Sequence, residues 1–169
     1  MYHRTTLRLK GYDYSSAGIY FVTIRSQLRI PIFGEIKTGK LILNQFGSFV
    51  NQSWLEIPVH FKGVKLDEYI IMPDHFHGLI IITGKTNGDN KSRCEVTSHL
   101  LFPTLGQIIA YFKYKSTKLI NACRNSIGVK IWQRNYYEHI IRDYYDLRNT
   151  RLYIRNNPLK WSNKYDNFK

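Results

Sequence analysis

The chain contains 169 residues, about the length of one domain. It carries 25 lysine and arginine residues against 12 acidic residues, for a net charge of +13, and 15% of its residues are aromatic. The aromatic content excludes a disordered chain, and the presence of only two cysteines excludes a disulfide scaffold. No apolar run approaches the roughly 20 residues of a membrane span, and the first ten residues do not resemble a signal peptide. We therefore expect a soluble, intracellular protein with reduced thiols.

The positive charge is concentrated in the second half of the chain. Residues 1–84 contain nine basic and six acidic residues, whereas residues 85–169 contain sixteen and six. Clustered positive charge is typical of proteins that bind a polyanion, and nucleic acid is the simplest such partner. The alternative is a solvated basic surface that binds no polyanion.

The first elements in chain order are a strand, a hairpin and a helix. Residues 18–25 are rich in aromatic and β-branched residues and predict a strand. Residues 32–37 and 40–43 flank Thr38-Gly39, which predicts a hairpin with a two-residue turn. Apolar residues then recur at helical spacing and predict a helix that ends at Pro58. These residues are Phe46, Val50, Trp54 and Ile57.

Two more strands and a polar segment follow. Residues 66–72 and 75–83 are both typical of strands, and the turn at Pro73-Asp74 predicts that they pair antiparallel. Residues 83–99 are polar and show no periodicity. We interpret them as a mobile loop within a single domain of residues 1–169, because neither side could form a core alone.

The last third of the chain predicts a helix, a strand and a final helix. Thr104 and Gln107 have the spacing of a capping box, and apolar residues follow at helical spacing up to Leu119. Residues 130–142 predict a strand, and Asp143 is the expected N-cap of a last helix that runs to about Asn157 and stops at Pro158. The whole order predicts an α+β fold, in which helices pack on an antiparallel sheet in a nearly ferredoxin-like pattern.

His75 and His77 are the first candidate for a functional site. Residues two apart in a strand point to the same face, so both imidazoles should project together while Phe76 enters the core. Two neutral imidazoles can bind a divalent cation if a third ligand comes from elsewhere. The sequence lacks the Cys-x-x-Cys of a zinc deaminase, and its charge favours Mg²⁺ or Mn²⁺ engaged with phosphate. The alternative is a pair of half-buried histidines without a metal.

Tyr153 and Asn157 are the second candidate. They lie four residues apart and share one helix face, where a phenol and an amide oxygen could supply a nucleophile and a third metal ligand. Tyr145 and Asn149 have the same spacing, so spacing alone does not choose between the pairs. The alternative is that Tyr153 packs in the core and Asn157 caps the helix.

Five strings of the sequence together resemble the HUH transposases of small bacterial insertion sequences, which use one catalytic tyrosine. The similarity extends over roughly residues 10–162 and is greatest to the REP-associated tyrosine transposases. The His-Phe-His string with its flanks and the Tyr-Ile-x-x-Asn-Pro string are specific in combination. The five strings are Phe33–Ile36, Leu66–Tyr69, Met72–Gly78, Ile131–Arg142 and Tyr153–Pro158.

The resemblance implies a set of catalytic residues. His75 and His77 would bind a divalent cation, Mg²⁺ or Mn²⁺, with Asn157 completing the metal site, and Tyr153 would be the nucleophile. Many insertion-sequence relatives have glutamine at the position of Asn157, so asparagine indicates the REP-associated branch. Asp74, a turn residue, stands where relatives often have asparagine. No base for the tyrosine is evident from the sequence, and His139 or a water molecule are the candidates.

The resemblance also implies the reaction and its setting. The protein would cleave and rejoin single-stranded DNA beside hairpins through a 5′-phosphotyrosine, as a transposase in the bacterial cytoplasm, associated with the nucleoid. It could act as a homodimer or as a monomer. Two alternatives remain: a domesticated hairpin-binding protein without productive cleavage, and a structural or RNA-binding basic protein.

Basic and aromatic residues of the second half are the candidates for DNA contacts. Trp132, Tyr136 and Tyr137 could stack on bases, or they could pack within the protein. The basic residues expected to contact the DNA backbone are Lys113, Lys115, Lys118, Arg124, Lys130, Arg134 and Arg142.

Overall fold

The computed structural model describes residue 14, residues 16–83 and residues 103–166, with side chains up to residue 161. Apart from Thr83, the loop expected at residues 83–99 lies outside the described residues. None of the described helices combines the length and the apolar character needed to cross a membrane. The elements are β1 (Gly18–Arg25), β2 (Gly34–Lys37), β3 (Lys40–Leu43), α1 (Gln45–Leu55), α2 (Ile57–His60), β4 (Val64–Ile71), β5 (His75–Ile82), α3 (Leu105–Cys123), β6 (Tyr137–Ile141), α4 (Tyr144–Arg155) and α5 (Asn157–Asp166).

The main sheet has four strands in the order β4-β5-β1-β6, and every neighbouring pair is antiparallel. Helix α1 lies in the chain between β1 and β4, and α3 lies between β5 and β6. The α+β prediction is therefore confirmed, with the strand order of a split β-α-β arrangement. Strands β2 and β3 form the expected separate hairpin, and Thr38 and Gly39 both have the positive φ angles that such a tight turn requires.

One face of the sheet carries the main hydrophobic core. Alternate residues of β1 and β5 point to this face, among them Tyr20, Val22 and Phe76, and all are fully buried. Trp54 of α1 packs against Phe76 at 4.5 Å and against Phe112 of α3 at 5.3 Å, measured between ring centroids. This cluster joins the two helices to the sheet and fixes which side chains of β5 face the other way.

The opposite face of the sheet is covered by helix α4. Phe21 of β1, Leu79 of β5 and Ile154 of α4 form a second, smaller buried cluster. Both α3 and α4 begin at the predicted caps: Thr104 forms a complete capping box with Gln107, and the side chain of Asp143 accepts a hydrogen bond from the helix. The histidines of β5 lie on this same face, beyond the smaller cluster.

The strand predicted over residues 130–142 is shorter than expected. Only Tyr137–Ile141 pairs as β6, and Trp132 makes one isolated bridge with the chain after β1. The ammonium of Lys113 donates hydrogen bonds to the three successive carbonyls of residues 133–135, at 2.9, 3.2 and 3.2 Å. Carbonyls that converge on one cation cannot alternate along a sheet ladder, so the strand is interrupted there.

Neither of the two prolines predicted to end a helix does so directly. Helix α1 ends at Leu55, and Pro58 lies in the first turn of α2. Helix α4 ends at Arg155, and Pro158 lies in the first turn of α5, so Asn157 begins a new helix rather than capping the old one. The first turn of a helix does not use its backbone N–H groups, so proline fits there as well as after a helix end.

Replacing Gly78 with alanine tests the close packing of β5 against α1. A Cβ at this position would lie 2.6 Å from Cζ2 of Trp54, so the core would have to shift. We expect Gly78→Ala to lower the free energy of unfolding by about 1–3 kcal/mol in urea denaturation. Gly18→Ala is the matched control, because its Cβ would make ordinary contacts of 3.4 Å with Tyr20. Equal stability of the two variants would contradict this packing.

Candidate active site

An open cleft of about 1120 Å³ lies on the face of the sheet that α4 covers and is lined by residues of β1, β5, β6, α4 and α5. His75 and His77 line it from β5, Tyr153 lines it from α4, and Asn157 lines it from the start of α5. The structure therefore brings together the four residues singled out from the two separate motifs. The direction of the imidazoles follows from strand alternation, because Phe76 between them is buried on the other face.

His77 is a nearly buried, neutral imidazole. Its Nδ1 lies 2.8 Å from the hydroxyl of Thr23, which faces it across the β1–β5 pair. Burial, together with the charges of His75 and Arg25, lowers the pKa of His77 to about 3. Its buried Nε2 has no hydrogen-bond partner among the described residues. A neutral imidazole that is oriented through one nitrogen and unpartnered at the other has the chemistry of a metal ligand.

His75 lies beside His77, with 4.6 Å between the ring centroids. The carboxylate of Asp74, itself largely buried, contacts Nδ1 of His75. A carboxylate in this position favours a proton on Nδ1, which leaves the lone pair on Nε2. The turn residue Asp74 therefore orients the first histidine much as Thr23 orients the second.

Tyr153 lies directly against this pair. Its ring centroid is 5.3 Å from that of His77, and the ring stands edge-on to Phe21 at 6.0 Å. The ammonium of Lys160 lies 5.1 Å from the centroid of the Tyr153 ring. Tyr145 is 73% exposed and lies outside the lining of the cleft, although Asn149 lines it. The structure thus separates two tyrosines that spacing alone left equivalent.

Asn157 supplies the third possible donor. It is 7% exposed, and it lies one turn beyond Tyr153 along the chain. In the described part of the chain, no group of three His, Cys, Asp or Glu side chains is placed to hold a metal ion, and the amide oxygen of Asn157 is the candidate third ligand that the sequence indicated. Two imidazole nitrogens and one amide oxygen fit a cation that takes its remaining ligands from water or phosphate. The unpartnered Nε2 of His77 is the feature that agrees with such a site.

Two ion pairs anchor helix α4 to strand β4. Arg151 donates to Asp67 through Nε at 2.9 Å and through Nη2 at 2.5 Å, and this lowers the pKa of Asp67. Arg155, one turn later, pairs with Glu68. A register shift in β4 between Leu66 and Tyr69 brackets the two acidic residues. Sequence reasoning missed this anchor, although residues 66–69 were among the strings that carried the resemblance.

His139, a candidate base from the sequence, lines the same cleft from β6. Its Nε2 is 2.8 Å from Oδ2 of Asp146, a bond that joins β6 to the first turns of α4. Asp146 precedes Tyr153 by seven residues, which is two turns, or about 10 Å along the helix. The pair therefore fastens α4 to the sheet and engages Nε2 of His139 with a carboxylate.

The predicted DNA-binding residues are distributed over several surfaces. Lys113 is engaged with the carbonyls of residues 133–135, and burial lowers its pKa to about 8. Lys115 pairs with Glu56 at 2.9 Å. Arg124 caps the end of α3, and Arg142 lies between β6 and α4. The remaining three, Lys118, Lys130 and Arg134, line a second groove beside α3.

The cleft itself carries three basic residues that sequence reasoning missed. Arg25, Arg29 and Lys160 all line it. Arg25 lies opposite His75 in the β1–β5 register, so the pairing of these strands would have indicated it. Of the aromatic candidates, Trp132 is buried against Phe33 and Phe112, Tyr136 is half-buried, and Tyr137 is exposed in the cleft.

Comparisons with known proteins assign the family. No family model matches the chain. An uncharacterized protein of Haemophilus influenzae is 39% identical over 166 residues, covering 95% of this chain and 91% of its own length. A second Haemophilus influenzae protein, named as a REP-associated tyrosine transposase, is 33% identical over 156 residues, covering 88% of this chain and 74% of its own. The chain belongs to the REP-associated tyrosine transposases.

A solved structure of a REP-associated tyrosine transposase bound to a REP hairpin has the same fold. It matches with a TM-score of 0.59 and 20% identity over 90% of this chain and 73% of that one. The fold of this transposase is therefore shared with a family member whose overall sequence has diverged widely.

Replacing Arg151 with glutamine tests the anchor of α4. We expect Arg151→Gln to lower the free energy of unfolding by about 1–2 kcal/mol near neutral pH, because the bidentate pair is partly buried. The lowered pKa of Asp67 means that this stabilisation is complete above the usual pKa of aspartate and is lost as the pH falls through its folded value. Thermal unfolding at about pH 7 and about pH 3 should show a difference that shrinks in acid.

Arg148→Gln on the exposed surface of α4 is the control for that experiment, since it removes the same charge from the same helix. It should change stability by less than about 0.5 kcal/mol at either pH. A loss in Arg151→Gln that is independent of pH, or equal to that in Arg148→Gln, would contradict the anchor.

Proposed function

We propose that this transposase cleaves and rejoins single-stranded DNA beside hairpins, with Tyr153 as the nucleophile and a divalent cation, Mg²⁺ or Mn²⁺, bound by His75, His77 and Asn157. The observation that carries the proposal is the contact between Tyr153 and a neutral His77 whose Nε2 has no partner among the described residues. Tyrosine and metal-ligating groups thus converge in one cleft.

The DNA substrate is supported by charge and by family. Arg25, Arg29 and Lys160 line the same cleft and can attract a phosphate to the tyrosine. The solved family member with this fold is bound to a REP hairpin. A helix-borne tyrosine reaches a backbone phosphate more easily in a flexible single strand than in a duplex. Activity on chromosomal DNA would take place at the nucleoid in the bacterial cytoplasm.

The proposed reaction is a transfer of the phosphodiester bond. The Tyr153 oxygen attacks phosphorus and loses its proton, the bond from phosphorus to the 3′-oxygen breaks, and the 3′-oxygen leaves with a proton as a hydroxyl. When bound, the cation supplies charge neutralisation at a non-bridging oxygen of the phosphate. Thr23 and Asp74 hold the two imidazoles in position, and Lys160 offers a positive charge beside the tyrosine ring. Attack by another 3′-hydroxyl on the phosphotyrosine reverses the step and joins two strands.

Tyr153→Phe should abolish covalent attachment to DNA, because only the attacking hydroxyl is lost. The measurement is a denaturing gel of protein, Mn²⁺ and labelled single strands of both polarities from the flanks of the gene. The wild type should give a heat-stable protein–DNA band. Tyr145→Phe is the matched control, an identical change eight residues earlier on the same helix, and should retain the band.

The gel also distinguishes the proposed reaction from two alternatives, a different nucleophile and DNA binding without cleavage. A band that persists in Tyr153→Phe would contradict the assigned nucleophile. Hairpin binding on a native gel without any covalent band would favour the alternative, a hairpin-binding protein without productive cleavage.

Mn²⁺ should raise the melting temperature of the wild type and should do so much less in His77→Ala, because a ligand that binds only the folded state stabilises it. At 100 times its dissociation constant, the cation would add about 2.7 kcal/mol. His139→Ala is the matched control, since it removes another imidazole from the same cleft, one whose Nε2 is already bonded to Asp146. An unchanged wild-type melting temperature at saturating Mn²⁺, or an equal shift in all three proteins, would contradict the metal site.

A further inference from the structure

A second groove, of about 900 Å³, lies between the C-terminal half of α3 and residues 124–134. None of the four catalytic candidates lines it, so it is distinct from the cleft. Gln133 borders both, within the segment whose carbonyls are held by Lys113. A chain-like ligand could therefore pass from one depression to the other along the surface of the protein.

Most of the surface that lines this groove is apolar. Tyr114 on α3 is 64% exposed, and Ile127 and Val129 on the facing segment are exposed as well. Trp132 forms part of the lining but is buried in the core, where its Nε1 donates to Ser116. Several large apolar side chains exposed around one depression are typical of a binding surface.

The rim of the groove is basic. Lys118, Lys130 and Arg134 are exposed, and none forms an ion pair within the part of the chain that the structure describes. Across that same part, no acidic side chain lines the groove. Lys113 differs, because its ammonium is already bonded to backbone carbonyls.

We propose that this groove binds unpaired nucleobases of the DNA strand, with Tyr114 stacked on a base and Lys118, Lys130 and Arg134 contacting the backbone phosphates. A single strand presents apolar base faces together with phosphates, which matches an apolar floor with a basic rim. A duplex hides its base faces and would use the rim alone. The proposal rests on the proposed function in one respect: the bound strand is the one whose phosphate enters the cleft.

The position of the groove gives it a role in selecting the site of cleavage. Bases bound beside α3 and a phosphate bound beside Tyr153 would lie on either side of residues 133–135, the segment whose carbonyls are bonded to Lys113. Binding in the groove would therefore favour one segment of a strand over others without a contact to the scissile bond itself.

The test is the affinity of full-length protein for a fluorescein-labelled single strand of about 20 thymidines, and for the same strand in duplex with its complement. We use a Tyr153→Phe background without divalent cations, so that no cleavage can occur. Tyr114→Ala should weaken single-strand binding by about 5- to 100-fold, the loss expected for one stacked base, and should leave duplex binding unchanged. Tyr114→Phe, which keeps the ring, should bind like the parent protein.

Tyr144→Ala is the matched control, because Tyr144 is similarly exposed, at 68%, and lines neither depression. Its single-strand affinity should stay within about 2-fold of the parent. Lys118→Ala should reduce the slope of log affinity against log salt by about 0.7 on the single strand. An unchanged affinity in Tyr114→Ala, an equal loss on the duplex, or equally effective displacement of the strand by polyglutamate would overturn the proposal.

The two proposals fail separately in these experiments. A covalent band that requires Tyr153, combined with normal strand binding in Tyr114→Ala, would overturn the base-binding groove and leave the cleavage chemistry intact. A selective loss of strand binding in Tyr114→Ala without any covalent band would support the groove and overturn the cleavage chemistry.

Discussion

The burial of Phe76 beneath Trp54 and Phe112 is the constraint on which the rest of the molecule depends. Strand β5 is a central strand of the sheet, so its alternation is enforced by hydrogen bonds to neighbours on both sides. With Phe76 in the core, His75 and His77 have to face the other way. A slip of one residue in this register would turn both imidazoles into the apolar core and remove Phe76 from its contacts with Trp54 and Phe112.

Helix α4 brings Tyr153 to the pair of histidines, and the three side chains together form a candidate active site. Ile154 packs against Phe21 and Leu79 on the face of the sheet that carries His75 and His77, and this small cluster holds the helix against the sheet. Arg151 and Arg155 fix its position along β4 through two carboxylates. The position of Tyr153 beside His77 follows from that placement of α4, because Ile154, its neighbour in the chain, is directed into the sheet. Apolar packing and ion pairs thus position a side chain that itself remains 41% exposed.

The electrostatics of the site follow from the same geometry. A buried imidazole near Arg25 and a second histidine stays neutral because a further positive charge in that environment is unfavourable. Neutrality keeps the lone pair of His77 available for a cation. Three other lysines make different interactions. Lys113 donates hydrogen bonds to the backbone between the cleft and the groove, and Lys115 pairs with Glu56. Lys118 forms no ion pair in the described part of the chain. Net charge alone did not distinguish these three roles.

The sequence by itself determined the α+β class, the strands on either side of Pro73-Asp74, the helix caps at Thr104 and Asp143, and the shared face of His75 and His77. These features are local: they depend on periodicity, capping chemistry and strand alternation within a few residues. The tertiary structure decided what depends on contacts between distant residues. The strand predicted over residues 130–142 was cut short by Lys113, which lies about two helical turns inside α3. Tyr153 rather than Tyr145 lies beside His77, and Arg25 joins the cleft, because side chains far apart in the chain meet only when the sheet pairs and α4 docks on it.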